Sequence, residues 1–127
     1  MDSKKTIKEK IGLLIIDHGS RKREANHMLF EIVKLVRSIK PDLIIYGAHM
    51  ELAVPTIEDG IKWCIKNGAT HIIAHPYMLS PGRHAKEDIP RMINTIVSKK
   101  SNITYEVTDP LGVDTRIAEL VLKRSGF

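Results

Sequence analysis

A chain of 127 residues with 43% hydrophobic and 28% charged positions can bury one core without staples, and its single cysteine, Cys64, excludes an intrachain disulfide and a cysteine-based zinc site. The net charge of +5, from 20 Lys and Arg against 15 Asp and Glu, fits either a solvated basic surface or an anionic partner. Nucleic acid is disfavoured, because Phe30, Phe127, Trp63 and the tyrosines form no stacking array and no helix-turn-helix or zinc pattern occurs.

Residues 1–10 read as a polar lead-in and residues 11–127 as a single domain. Ile11 to Ile16 is a continuous apolar run, the sign of a strand buried on both faces. It is too short for a membrane span or a signal core, so no membrane is expected, and the lone cysteine fits the cytoplasm. From about Glu24 to Lys40, Met28, Leu29, Ile32, Val33, Val36 and Ile39 recur at helical spacing, and Pro41 stops them. Leu43 to Gly47 is a second strand, running out into Ala48-His49-Met50-Glu51-Leu52. Pro55 suits the first turn of a helix whose inner stripe is Ile57, Ile61, Cys64 and Ile65, ended by Asn67-Gly68. His71 to His75 is a third strand, followed by the long loop Pro76 to Pro90. Asp88 could cap the next helix, or that helix starts nearer His84 and bends at Pro90; its stripe is Ile89, Met92, Ile93, Ile96 and Val97. Ile103 to Val107 is a fourth strand, closing at Asp109-Pro110, and Ile117, Leu120 and Val121 mark a last helix.

Strand and helix alternate along the whole chain. That order predicts an α/β fold, an open parallel four-stranded sheet, (βα)4, with helices on both faces and right-handed crossovers. In such sheets ligands bind outside the carboxyl ends of the strands, near the point where the strand order reverses. His18, His49, Glu51, His84 and Asp109 all fall at that edge, and helix N-termini facing it add positive potential.

A nucleotide site is disfavoured, since neither a Gly-x-Gly-x-x-Gly turn nor a P-loop occurs. A histidine-phosphatase reading of His18-Gly19-Ser20 fails on Asp17, where that chemistry places arginine. Of the histidines, His27 and His71 read as solvated or structural, and His75 as a strand-end residue bonded to backbone. His18 and His84 differ, because each sits in a glycine-containing loop flanked by cations at one sheet edge. Together they form an imidazole pair for a divalent ion of the iron–cobalt–nickel–zinc group. Such a pair would leave coordination positions open, which suits a metal that must be handed on. Glu51, among Met50, Leu52, Ala53 and Val54, is a carboxylate in apolar company and a candidate for proton exchange. Arg21, Lys22, Arg23, Arg83 and Lys86 surround both loops with positive charge, and Met50, Leu52, Met78 and Leu79 could line a flat apolar ligand or cap the core.

Asp17-His18-Gly19-Ser20-Arg21, His49-Met50-Glu51-Leu52-Ala53 with Pro55, Pro76 through His84 with Asp88-Ile89-Pro90, and Asp109-Pro110-Leu111-Gly112 resemble, in register and order, the small sirohydrochlorin chelatases of the CbiX/SirB group of class II chelatases. The resemblance covers roughly residues 10 to 125, and Ser80-Pro81-Gly82-Arg83-His84 is particularly similar to the ferrochelatases of siroheme synthesis. It implies insertion of a divalent metal substrate (Co2+, Fe2+ or Ni2+) into sirohydrochlorin without ATP. The metal-binding histidines of the family match His18 and His84. It also implies a half-unit of a longer chelatase, pairing as a homodimer. The cysteine-rich tail of the plant members is missing, so no iron–sulfur cluster is expected. Ser20, Arg21, Met50, Met78, Leu79, Ser80, Arg83 and Lys86 would meet the polyanionic macrocycle, and Glu51, by position, would take up a proton. A non-catalytic tetrapyrrole or metal carrier is the alternative reading.

Overall fold

In the computed structural model, which describes residues 9–80 and 82–127 and only the backbone of His84 and Ala85, the apolar run Ile11–Asp17 forms β1 at the heart of the sheet. The expected lead-in lies, as far as residue 8, outside the described residues, as does Pro81. Strands β2 (Ile44–His49), β3 (His71–Pro76) and β4 (Thr104–Val107) complete a four-stranded sheet in the order β2-β1-β3-β4, and every neighbouring pair is parallel. The chain leaves β1 toward one edge, then crosses back over it to β3. The strand order therefore reverses at β1, and the crevice of this reversal opens between the carboxyl ends of β1 and β3.

The reversal also sorts the helices. With right-handed crossovers, α1 (Arg23–Ile39) falls on one face, while α2 (Ile57–Lys66) and α3 (Ile89–Val97) fall on the other. The period of two along β1 matches this. Leu14 and Ile16 pack with Ile61 and Cys64 of α2 and Ile89 and Ile93 of α3. Ile15 packs with Leu29 and Val33 of α1 and with Ile45 of β2. Close approach of α2 depends on Gly60, where a Cβ would stand 2.5 Å from Leu14 Cδ1. Burial pushes the Cys64 thiol up to about 12, so it acts as a small apolar side chain. At the open edge of the sheet, the Arg37 guanidinium donates to the Ile45 carbonyl (2.6 and 3.2 Å) and lies over the Trp63 ring, which stacks on Tyr46.

The start of α2 differs from the sequence expectation, and of the two starts expected for the following helix the later one, with Asp88 as its cap, fails. Pro55 is not in the first turn of α2: Thr56 is the N-cap, in a reciprocal capping box with Asp59. The Val54–Pro55 peptide is cis, and the Pro55 carbonyl accepts the His49 N–H at 2.8 Å. Asp88 is not a cap, because its own dihedrals are helical; it pairs with Arg91 at 3.1 Å. The chain is already helical from His84, as a π-helical turn His84–Asp88 that runs into α3 and places Pro90 in its opening turn. The last helix, α4 (Thr115–Arg124), is capped by Asp114 but buries none of its residues. Of its apolar stripe, Ile117 is half-buried and Leu120 and Val121 are exposed.

Candidate active site

The carboxyl edge is held by a continuation of the sheet past its strands. Asp17 and His49 end β1 and β2 directly opposite each other. Beyond them, the Met50 N–H donates to the Asp17 carbonyl (2.9 Å) and the Glu51 N–H to the His18 carbonyl (3.1 Å). The loops bearing His18 and Glu51 are therefore zipped together by backbone. Gly19 makes this possible. Its φ is +91°, and a Cβ there would run into the Glu51 carbonyl oxygen. Leu52, with φ of 72°, adopts the same left-handed region without being glycine, a strained position at the tip of this turn.

The first loop is also tied to α1. The Ser20 N–H donates to Asn26 Oδ1 (2.9 Å), Asn26 Nδ2 donates to the Ser20 carbonyl (2.7 Å), and the Lys22 N–H donates to Ser20 Oγ (3.0 Å). On the other flank, the Tyr77 N–H donates to the Ile16 carbonyl (2.6 Å). The Leu111 and Gly112 N–H groups donate to the Met78 and Leu79 carbonyls, each at 2.9 Å. Loops from β1, β2, β3 and β4 thus form one rim. At the reversal point it encloses a depression of about 280 Å³ lined by His18, Ser20, Met28 and Tyr77 among others. Beside it lies an open hollow of about 430 Å³ with Arg21, Arg23, Leu52 and Val54 on its walls.

Sequence reasoning did not assign a role to the buried pair beneath this rim. His49 is completely buried, and its Nδ1 lies 2.6 Å from Asp17 Oδ1. An ionised carboxylate only accepts, so Nδ1 is the donor. The edge of the Phe30 ring meets the imidazole at 5.9 Å. Its Nε2 is buried and has no hydrogen-bond partner among the described residues, an arrangement that burial makes costly. The signal was present in the sequence: both residues end apolar strands, and a parallel register sets them side by side.

The expected site residues separate into groups. His18 is exposed at the rim after β1, and the backbone of His84 opens the helical turn after β3, on the adjacent strand. The imidazole of His84 lies outside the described side chains. Arg21, Ser80, Arg83 and Lys86 are exposed on the loops flanking the reversal point, and Ser20 is half-buried there. Leu52 and Leu79 are exposed apolar residues of the rim. Met50 and Met78 are not at the rim: both are buried and belong to the core on the α2 and α3 face. They follow strand ends whose alternation carries them inward. Glu51 is exposed, so the apolar company of its neighbours in sequence does not surround its carboxylate. The remaining imidazoles have protein partners of their own. His71 meets Thr104 Oγ1 at 2.7 Å and Glu106 Oε1 at 3.0 Å, and His27 pairs with Glu31 at 3.2 Å. His75 Nδ1 meets Thr108 Oγ1 at 3.0 Å; burial holds its pKa below the usual imidazole range, against a backbone hydrogen bond at Asp109 that acts the other way. Among the described residues, no three His, Cys, Asp or Glu side chains gather as a metal cage.

Residues 12–126 match the model of the CbiX family. The chain is 41% identical to the chloroplastic sirohydrochlorin ferrochelatase of Arabidopsis thaliana over 89% of this chain and 50% of that protein. It is 33% identical to the sirohydrochlorin cobaltochelatase of Sulfurisphaera tokodaii over 89% of both chains. The crystal structure of the sirohydrochlorin chelatase SirB from Bacillus subtilis in complex with cobalt superposes with a TM-score of 0.84 at 32% identity, over 91% of this chain and 50% of that one. The chain spans half or less of the length of the plant and bacillus ferrochelatases it matches.

Proposed function

The chain belongs to the CbiX family, and on that premise we propose that it inserts a divalent metal, Co2+ or Fe2+ and by the same chemistry Ni2+, into sirohydrochlorin without ATP. The observation that carries this reading is the placement of His18 beside the β1–β3 reversal point, with the His84 backbone opening the helical turn after β3. Imidazoles from the two loops would hold the metal substrate by few bonds, leaving positions for pyrrole nitrogens to replace its water. The macrocycle is flat and polyanionic. Leu52 and Leu79 offer it exposed apolar surface, and Arg21, Arg83 and Lys86 offer cations to its carboxylates, with Ser20 and Ser80 as hydroxyl donors. As metal–nitrogen bonds form, the pyrrole N–H protons must leave. Glu51, whose side chain is exposed and whose N–H donates to the His18 carbonyl, would accept one and pass it to water.

Residues 11–127 act in this reading as one unit, and two copies pair. Support for pairing comes from lengths: the chain matches half of the plant relative but most of the archaeal one. A cytoplasmic setting is part of the proposal; among the described residues no helix is long and apolar enough to cross a membrane.

The test is anaerobic, with substoichiometric protein, excess sirohydrochlorin and each metal in turn, followed by absorbance. A catalyst converts many equivalents above the spontaneous rate. Stoichiometric macrocycle binding with no acceleration for any of the metals would instead establish a carrier.

A further inference from the structure

In the proposed reaction the carboxyl edge receives two substrates of opposite charge. Arg21, Lys22 and Arg23, all exposed on or just after the first loop, draw a polyanionic macrocycle, and the same cations repel a divalent metal. The two hollows of the rim divide this conflict. Arg21 and Arg23 stand on the walls of the larger one. The smaller depression, with His18 in its wall, has no Lys or Arg among the described residues lining it, and Asp17 is their one acid. The Asp17 side chain is 21% exposed and lines this depression, whereas His49, 0% exposed, lines the larger hollow. Their 2.6 Å hydrogen bond therefore joins the wall of one to the wall of the other.

Packing does not explain the imidazole. Its Nε2 has no hydrogen-bond partner among the described residues, a cost that an apolar side chain of similar size would avoid. What the imidazole supplies is the Nδ1–H that Asp17 Oδ1 accepts. That bond fixes the carboxylate at the end of β1, one residue before His18, and a neutral imidazole leaves its negative charge in place.

We propose that Asp17 is the charge that recruits the divalent metal substrate to His18 inside a cationic rim, and that His49 is a positioning residue that keeps the Asp17 carboxylate at the depression. Asp17 acts through its field and needs no bond to the metal. Cation and polyanion then approach one edge by separate patches. The proposal rests on the reading of His18 as a metal-holding residue and does not depend on turnover.

The test reads Co2+ binding to the full chain by equilibrium dialysis, without macrocycle and with His18→Ala as the baseline, and sirohydrochlorin binding by absorbance, without metal. Asp17→Asn keeps an oxygen to accept the His49 Nδ1–H and removes the charge. The expected result is a Co2+ dissociation constant raised roughly fivefold or more at low salt, a difference that shrinks at high salt, and no loss of sirohydrochlorin affinity. In turnover, KM rises for the metal and not for the macrocycle. His49→Leu removes the donor and should weaken Co2+ binding, and His49→Asn, which offers an N–H from the same place, should restore most of it. Wild-type Co2+ affinity in Asp17→Asn overturns the proposal, and so does an equal loss of affinity for Co2+ and sirohydrochlorin, the mark of a merely structural pair. Full Co2+ affinity in His49→Leu overturns the role given to His49. Co2+ binding untouched by His18→Ala overturns the reading of His18 and this proposal with it. If the wild type binds Co2+ as expected but accelerates no insertion, the chelatase reading fails and the role of Asp17 stands.

Discussion

The β2–β1 end of the molecule and the β4–α4 end are made from the same kinds of residue and differ in what holds them. At the first end, backbone bonds continue past the strands, Gly19 permits two loops to touch, and His49 is buried beneath them against the half-buried Asp17. At the second, β4 is short and half-exposed, and α4 has no fully buried residue. The contrast is between loops fixed by backbone bonds and a helix held by little more than its own hydrogen bonds. A site that positions imidazoles and a carboxylate requires rigid loops.

The sharpest way to break the comparison is at Gly19. Gly19→Ala forces a Cβ into the Glu51 carbonyl and keeps a left-handed φ, so we expect a loss of roughly 2–4 kcal/mol in denaturant unfolding and loss of metal insertion. An alanine variant of unchanged stability would mean that the zipped loops are not rigid. Next comes the buried pair. His49→Ala leaves a cavity and strips Asp17 of its partner, with an expected cost of about 2–3 kcal/mol and a drop in turnover larger than any change in macrocycle affinity. Asp17→Asn keeps the shape and a hydrogen-bonding side chain and should cost about 1 kcal/mol. If both variants match the wild type in stability and turnover, the pair is incidental.

Smaller effects are expected at the exposed cations. Arg21→Ala and Arg83→Ala should each raise KM for sirohydrochlorin several-fold with little change in stability, and added salt should blunt the difference. The smallest effect is at His75, on the α4 side. Its folded pKa is held down by burial, so the unfolded chain binds the proton more readily. Its contribution to stability is present above the ordinary imidazole pKa of 6.5 and is lost as pH falls below that value. His75→Gln should flatten the decline in melting temperature between neutral and mildly acidic pH, and an unaltered profile would locate the acid sensitivity elsewhere.

Much of this was legible in the residues. The run from Ile11 to Ile16 marks a doubly buried strand because burial on both faces demands apolar residues at successive positions, and β1 is that strand. The reversal of strand order at β1 was not legible, since nothing local in β3 states on which side of β1 it will pair. The rim residues His18, Arg21, Leu52 and Leu79 were found from loop composition. For Met50 and Met78 composition left ligand-lining and core-capping both open, because it does not say which side of a strand end a side chain leaves by; both belong to the core. Glu51 was credited with apolar surroundings on the strength of its sequence neighbours, and its side chain is exposed. The exposure of α4 was not legible either, since periodicity reports an apolar stripe and says nothing about what covers it.

The central claim is that imidazoles from the β1 and β3 loops deliver metal at the reversal point. The direct measurement is the anaerobic initial rate of metal insertion into sirohydrochlorin by His18→Ala and His84→Ala, beside the wild type and the uncatalysed reaction. Both variants should fold, bind the macrocycle with near-normal affinity, and fall to the spontaneous rate with every metal. Wild-type rates from either variant would contradict the account.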